Sequence, residues 1–346
     1  MPRFRSITRI ATLVVASGCA AATLEIVLRQ GYYHPLAIDP EFGYTFRPGS
    51  VVRWQLEGNG TSHWTVGGLR RLAPPDGTPP VLVLGDSFTE ALMLDDHEVY
   101  TQRLEDALRA SDRAMPVLNA GKSTMSVADY VFHAPYYRRT HHPRWTIIQL
   151  RDPDVTDDAW KSEPGVARFD RQDGTLVVRP PDVTPPSGLK RAIFEPRQRF
   201  SLLGFAITRL QKFALAAKQE PPLFRAGSEH KKAASPAVEY PIEDELAMLV
   251  QAFEGRVTFL YLPPYDPRGL EEPTQIEHRV AKACARAGWS FVNLRDRFPE
   301  FMAGSIAPYG FDNTSFNSGH LNRAGHAAAA KALQAEMERL LSLAVL

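Results

Sequence analysis

From Pro80 onward the chain alternates short, mostly apolar runs, unbroken at Val81–Leu84, with stretches of helical spacing. The runs are Val81–Leu84 (VLVL), Pro116–Ala120, Trp145–Leu150 (WTIIQL), Val257–Leu262 (VTFLYL) and Ser290–Leu294. Helical spacing follows at Val99–Arg109, Val127–Arg138, Gln275–Ala287 and, last, the alanine-rich Ala324–Leu341. A strand with apolar residues on both of its faces must be covered on both sides. Five such strands alternating with helices predict an α/β fold, a parallel sheet between two helical layers. The full 346 residues leave room for an appendage beside that domain.

Two regions break the pattern. Residues 30–78 are rich in glycine, proline and aromatics, with strand-like alternation at Ser50–Leu56 and Ser62–Val66. Pro74, Pro75, Pro79 and Pro80 close this β-rich extension as a stiff linker. Residues 161–240 form an insertion between the third and fourth strands. It is loop-like and proline-rich through Lys190, amphipathic and helical over 201–218, then polar to Pro241. The expected organisation is thus 1–29, 30–78 and 79–346, the last carrying the insertion.

The N-terminus addresses location. Arg3, Arg5 and Arg9 precede Ile10–Leu24, and the run continues past Glu25 through Leu28. About 20 apolar residues span a bilayer, and the arginines predict that this end stays on the cytoplasmic side. The expectation is a signal anchor that leaves the rest of the chain facing the periplasm or cell exterior. A cleaved signal peptide and lipid attachment at Cys19, within Ala16-Ser17-Gly18-Cys19, are the alternatives. Cys19 and Cys284 are poorly placed to pair, so no disulfide framework is implied. Forty basic against thirty-nine acidic residues give no reason to expect a nucleic-acid partner.

Chemistry concentrates at two places. Gly85-Asp86-Ser87-Phe88-Thr89 directly follows the first buried strand, where open α/β sheets place their ligands. A serine there is exposed on a turn, and the following backbone N–H groups can face a developing negative charge. Gly319-His320-Leu321-Asn322-Arg323-Ala324-Gly325-His326 leads into the last helix. His320 returns to the same sheet edge and is the candidate general base, the alternative being a helix-capping or loop role. His326, near the start of the last helix, is read as packing or capping. His133, His141 and His142 lack a carboxylate at a recognisable ligand spacing, so neither metal nor cofactor is expected. Asn59-Gly60-Thr61 matches a glycosylation acceptor, a short pattern that is common by chance.

Together, VLVLGDSFTEA and GHLNRAGH resemble the SGNH/GDSL hydrolase superfamily over roughly residues 80–160 and 240–345, and the flanking DPEFGYTFRPG resembles its membrane-anchored bacterial members. The resemblance implies a flavodoxin-like three-layer α/β/α domain with Ser87 as nucleophile and His320 as base. It also exposes three departures. The family's aspartate, three residues before the histidine, is Asn317 here, which can orient an imidazole but not balance its charge. The acid is then missing or comes from elsewhere, with Asp152, Asp154 and Asp312 as candidates. The glycine that supplies an oxyanion N–H after the second strand is Thr124, with Gly121 nearby, beside the N–H of Ser87 itself. The family's oxyanion asparagine falls on Pro153, which has no N–H to donate, and leaves Arg151 as a substitute.

The implied activity is hydrolysis of an O-acyl ester on a small molecule, lipid or glycan. Transfer of the acyl group to a cell-envelope polysaccharide, and a degenerate domain that binds glycan or protein, are the rival readings.

Overall fold

The computed structural model describes residues 2–32, 35–39, 42–55, 57–71, 77–111, 115–162, 165–183, 188, 199–218, 239–266, 269–270, 272–298, 307–314 and 319–343. It divides into two compact units. One comprises residues 1–35 and 185–239, the other residues 36–184 and 240–346.

In the first unit, helix α1 (Pro2–Tyr32) contains the 21-residue segment Arg9–Arg29, in which an 18-residue window has a mean hydropathy of 1.9. That is long and apolar enough to cross a bilayer.

The second unit opens with two antiparallel hairpins, β1 (Leu36–Asp39) with β2 (Gly43–Phe46) and β3 (Val51–Trp54) with β4 (Gly60–His63). β4 begins two residues earlier than the alternation suggests. Val51 pairs with His63 and Trp54 with Gly60, so residues 55–59 become the hairpin loop. β5 (Val81–Leu84) then starts the sheet, followed by a one-turn helix α2 (Ser87–Glu90), α3 (Tyr100–Ala110), β6 (Val117–Asn119), α4 (Val127–His141) and β7 (Trp145–Leu150). After the short α5 (Asp157–Trp160) comes a further hairpin, β8 (Arg168–Gln172) with β9 (Thr175–Arg179), where the sequence pattern predicts loop. Its turn is Asp173-Gly174, both residues at positive φ, which matches the right-handed twist of a two-residue hairpin. Charged residues on the exposed face obscure the alternation, while Phe169 is buried in the core.

Helix α6 (Ser201–Lys218) belongs to the first unit. The second resumes with α7 (Ile242–Ala252), a helix not anticipated from the sequence, then β10 (Val257–Tyr261) and a small ladder of β11 (Tyr265–Asp266) and β12 (Gly269–Leu270). It closes with α8 (Gln275–Ala287), β13 (Ser290–Asn293) and α9 (Arg323–Leu343).

Five strands pair in parallel in the order β13-β10-β7-β5-β6. Counted within the sheet this is 2-1-3-4-5, the flavodoxin-like order, whose switch point lies between β5 and β7. Alternate residues of β5 feed two cores. Val81 and Val83 pack on one face with residues of α3 and α9, and Leu82 and Leu84 on the other with residues of α4, α7 and α8. All four side chains are fully buried, each contributing roughly 1.5–3 kcal/mol. The fold class is therefore α/β/α, three layers, with small antiparallel sheets beside it. Local signals delimit the helices. Thr274 caps α8 by accepting from the Glu277 N–H at 2.9 Å, and Gly288 ends it in the left-handed region.

Candidate active site

Ser87 is the first residue of α2, at the carboxyl end of β5 and therefore at the switch point. Its turn is held from two sides. Asp86 accepts from the Phe88 N–H at 2.9 Å, capping α2, and its other oxygen takes Arg151 Nε at 2.9 Å. Arg151, just beyond β7, lies 4.4 Å over the Phe88 ring. Burial works against its charge, but Asp86 and Asp154 outweigh burial and raise its pKa. The guanidinium thus braces the Gly-Asp-Ser turn.

His320 arrives from the loop before α9. Its Nε2 lies 2.8 Å from Ser87 Oγ, bridging 233 positions of sequence. The helix itself is capped by Asn322, whose Oδ1 accepts from the N–H groups of Ala324 and Gly325 at 2.9 and 3.2 Å. Asn322 Nδ2 also donates to the carbonyl of Ala307 at 2.7 Å, which fixes the loop. His326 is buried against Tyr100, accepts that residue's N–H at 3.2 Å, and is pushed down to about 3 by burial. It packs.

The other ring nitrogen of His320 holds a residue that sequence motifs do not single out. Nδ1 lies 2.6 Å from Glu57 Oε2, and the His320 backbone N–H donates to Glu57 Oε1 at 2.8 Å. Burial alone would raise the Glu57 carboxyl. The ring hydrogen bond, the backbone N–H and the imidazole charge outweigh it and hold the pKa below the ordinary carboxylate value. Ser87, His320 and Glu57 form one continuous hydrogen-bonded chain.

Glu57 sits in the loop between β3 and β4, and that loop is clamped to the sheet domain. The Gly58 N–H donates to Asn313 Oδ1 at 2.7 Å, and Asn313 Nδ2 returns a bond to the Gly58 carbonyl at 2.8 Å. The Asn59 and Thr61 N–H groups bond the Met93 carbonyl and Asp95 Oδ1. At Gly60 any Cβ would strike the backbone of Leu92 and Leu94, so only glycine lets the hairpin lie this close. Gly319 is constrained twice. Its φ is +85°, and a Cβ there would occupy the place of Glu57 Oε1. Arg70, buried, secures the other end by donating to Asp96 at 2.8 Å and to the Glu90 carbonyl at 2.8 Å, while its own N–H reaches the Asn119 carbonyl.

The expected acids stand elsewhere. Asn317 lies outside the described residues, and the imidazole nitrogen it was expected to orient is engaged by Glu57. Asp152 accepts the Tyr261 hydroxyl. Asp154 accepts the Arg151 N–H at 2.7 Å and is fully enclosed, its pKa raised by burial and by the charge of Asp86. Asp312 is exposed and lines a cavity of about 670 Å³ together with Gln55, Phe311 and Arg323. Neither Ser87 nor His320 borders that cavity. The only signal for Glu57 is negative, an asparagine where an acid is required, which says that a carboxylate must come from elsewhere but not from where.

The loop after β6 supplies the remaining groups. The Gly121 N–H is committed to Asn119 Oδ1 at 2.9 Å, so it is not free for an oxyanion, a correction to the sequence expectation. Thr124 is exposed at φ +74°, in the left-handed region that glycine would occupy more easily. Among the described residues, neither the Thr124 nor the Ser87 N–H has a hydrogen-bond acceptor. Glu90, the last residue of α2, pins this loop by accepting from the hydroxyl of Ser123 and from its N–H. The Lys122 N–H also donates to the Gly85 carbonyl at 3.0 Å. Burial raises the Glu90 pKa, against the Ser123 bonds and the nearby Lys122 and Arg70 charges.

No family model and no curated protein matches the chain. Solved structures with a similar path include the psychrotrophic esterase EstA from a Pseudoalteromonas species, inhibited by monoethylphosphonate, at 11% identity and a TM-score of 0.40 over 76% of this chain and 99% of that one. A catalytic mutant of Axe2, an acetylxylan esterase from Geobacillus stearothermophilus, gives 14% identity and 0.39 over 75% and 93%. A two-domain esterase active on acetylated mannans, co-crystallised with mannopentaose, gives 12% and 0.40 over 76% of this chain and 49% of that one. At such values the likeness carries no weight for the chemistry, which rests on the geometry around Ser87.

Proposed function

We propose that the protein is a serine esterase of the SGNH kind, acting on O-acyl esters through a covalent acyl-enzyme. The observation that carries this reading is the unbroken Ser87–His320–Glu57 chain. His320 Nε2 takes the Ser87 hydroxyl proton as Oγ attacks the acyl carbonyl carbon. The Ser87 and Thr124 N–H groups receive the oxyanion. The tetrahedral intermediate collapses as the imidazolium returns its proton to the departing alcohol oxygen. Water then attacks the acyl-serine by the same route and regenerates the hydroxyl. Glu57 stays ionised and accepts a hydrogen bond from Nδ1–H, holding the reactive tautomer and balancing the imidazolium charge.

The same chain weighs against a non-catalytic binding domain, in which nothing would keep a carboxylate, an imidazole and a serine in register. An N-terminal anchor would place this activity outside the cytoplasmic face, on a lipid or glycan ester. The test is p-nitrophenyl acetate hydrolysis together with labelling by a fluorophosphonate. Turnover and labelling that both vanish in Ser87→Ala support the reading; wild-type protein inert to both reagents sinks it. Acyl release to an added oligosaccharide in excess of release to water would move the assignment from hydrolase to transferase.

A further inference from the structure

Glu25 interrupts the apolar face of α1, where an unpartnered carboxylate would be costly in a membrane setting. It is not unpartnered. Its two oxygens accept the backbone N–H groups of Ser201 and Leu202, both at 2.8 Å, so it caps the first turn of α6 from another helix. Arg29, one turn along α1, donates to Glu25 at 2.9 Å and to the Arg199 carbonyl at 2.7 Å. Leu28 and Ser201 are buried at this junction, whereas α1 is exposed from Arg9 through Leu24.

Among the described side chains, the large apolar residues left exposed in α6 and just before it share one side. Phe200 (53% exposed), Leu203 (37%) and Leu210 (68%) recur at helical spacing, with the half-buried Ile207 between them. Arg209 lies off this stripe, 5.1 Å over the Phe205 ring. An exposed apolar stripe with a basic residue set off it suits a helix lying in the bilayer interface. What covers the stripe is indicated by its neighbour. The helix on which α6 docks exposes Ile10, Leu13, Val14, Val15, Ile26 and Val27, a belt that suits a hydrocarbon surrounding.

We propose that α1 and α6 form one membrane-docking module, in which Glu25 fixes the start of α6 and the Phe200–Leu203–Ile207–Leu210 stripe lies in the lipid interface. This rests on α1 being a retained membrane span and is independent of the esterase activity. The insertion is then a second membrane contact, and Glu25 is the hinge pin between the two.

The full-length chain in a Cys19→Ala background leaves only the buried Cys284. Leu203→Cys, Leu210→Cys and Arg209→Cys, introduced singly, are labelled with an environment-sensitive fluorophore in phosphatidylcholine–phosphatidylglycerol vesicles. Labels at 203 and 210 are expected to be quenched at least twofold more by doxyl lipid than the label at 209, which aqueous iodide reaches. Equal iodide access at all three positions overturns the proposal. Adding Glu25→Ala should abolish the difference; its persistence overturns the docking role of Glu25. Release of the wild-type chain from membranes by alkaline carbonate overturns the span and the proposal with it, whatever the esterase assay shows.

Discussion

His320 and Glu57 meet at one imidazole ring but are delivered there by different means. His320 comes from the loop before the last helix of the sheet domain, and the topology of a parallel sheet brings that loop to the carboxyl edge where Ser87 stands. Glu57 comes from the hairpin of the N-terminal extension, 263 positions earlier, and nothing in the sheet requires it to be there. Its place depends on tertiary clamps: Asn313 on Gly58, Met93 on Asn59, Asp95 on Thr61, and Arg70 beneath the turn after α2. The extension is therefore part of the candidate site. A site residue carried by the sheet can be anticipated from motif order, whereas one carried by a clamp can move to another segment whenever that segment packs close enough.

The two modes of delivery are tested most severely at the hydrogen-bonded chain itself. Ser87→Ala and His320→Ala are each expected to lower kcat by about 10⁴–10⁶, measured by ester hydrolysis with matched circular dichroism. If Glu57 is a true partner, Glu57→Gln should lower kcat by about 10²–10⁴ with little change in KM, because the amide can orient the ring without balancing its charge. Asn317→Ala should leave kcat unchanged. The reverse outcome would return the orienting role to Asn317, three residues before the histidine.

A smaller effect probes the loop after β6. Glu90→Ala should free Ser123, let Thr124 drift, and cost on the order of 10² in kcat, as misplacement by about an ångström does. Glu90→Gln, which still accepts from Ser123, should recover most of it. A fall confined to thermal stability, with kcat intact, would make Glu90 merely structural.

Two glutamates withdrawn from solvent carry the contrast into pH. Glu57 is held below its ordinary 4.5, so its stabilising contribution is present above that value and is lost as pH falls through the lower folded-state value. The difference in urea midpoint between wild type and Glu57→Gln should accordingly shrink from pH 7 towards pH 3. Glu245 behaves oppositely. It receives the Trp160 indole N–H at 2.7 Å, its second oxygen has no partner, and burial pushes it up to about 8. The folded state thus favours the protonated form, and stability drains away as pH rises from 4.5 to about 8. Glu245→Gln should flatten that decline, by about 1–3 kcal/mol at pH 8, read from urea unfolding at both ends of the range.

Much of the fold is legible because the strands are apolar on both faces. VLVL, WTIIQL and VTFLYL have no other use than the centre of a covered sheet, and Thr274 and Gly288 announce the ends of α8. Strands with one charged face are harder to see. Arg168–Gln172 resembles loop because Phe169 is its only deeply buried member. At the site, Ser87 and His320 stand in local motifs, whereas Glu57 lies in Leu56-Glu57-Gly58-Asn59-Gly60, an ordinary turn sequence.

Local sequence is thus enough to specify the layered sheet, the edge on which chemistry occurs, and the serine and histidine that face each other there. Periodicity and turn chemistry are properties read within a few residues. Packing selected which carboxylate completes the chain and brought Glu25 to cap a helix from a distant segment. Each of these is a hydrogen bond whose geometry depends on how the surrounding chain packs, and no local pattern encodes which acceptor a donor will find.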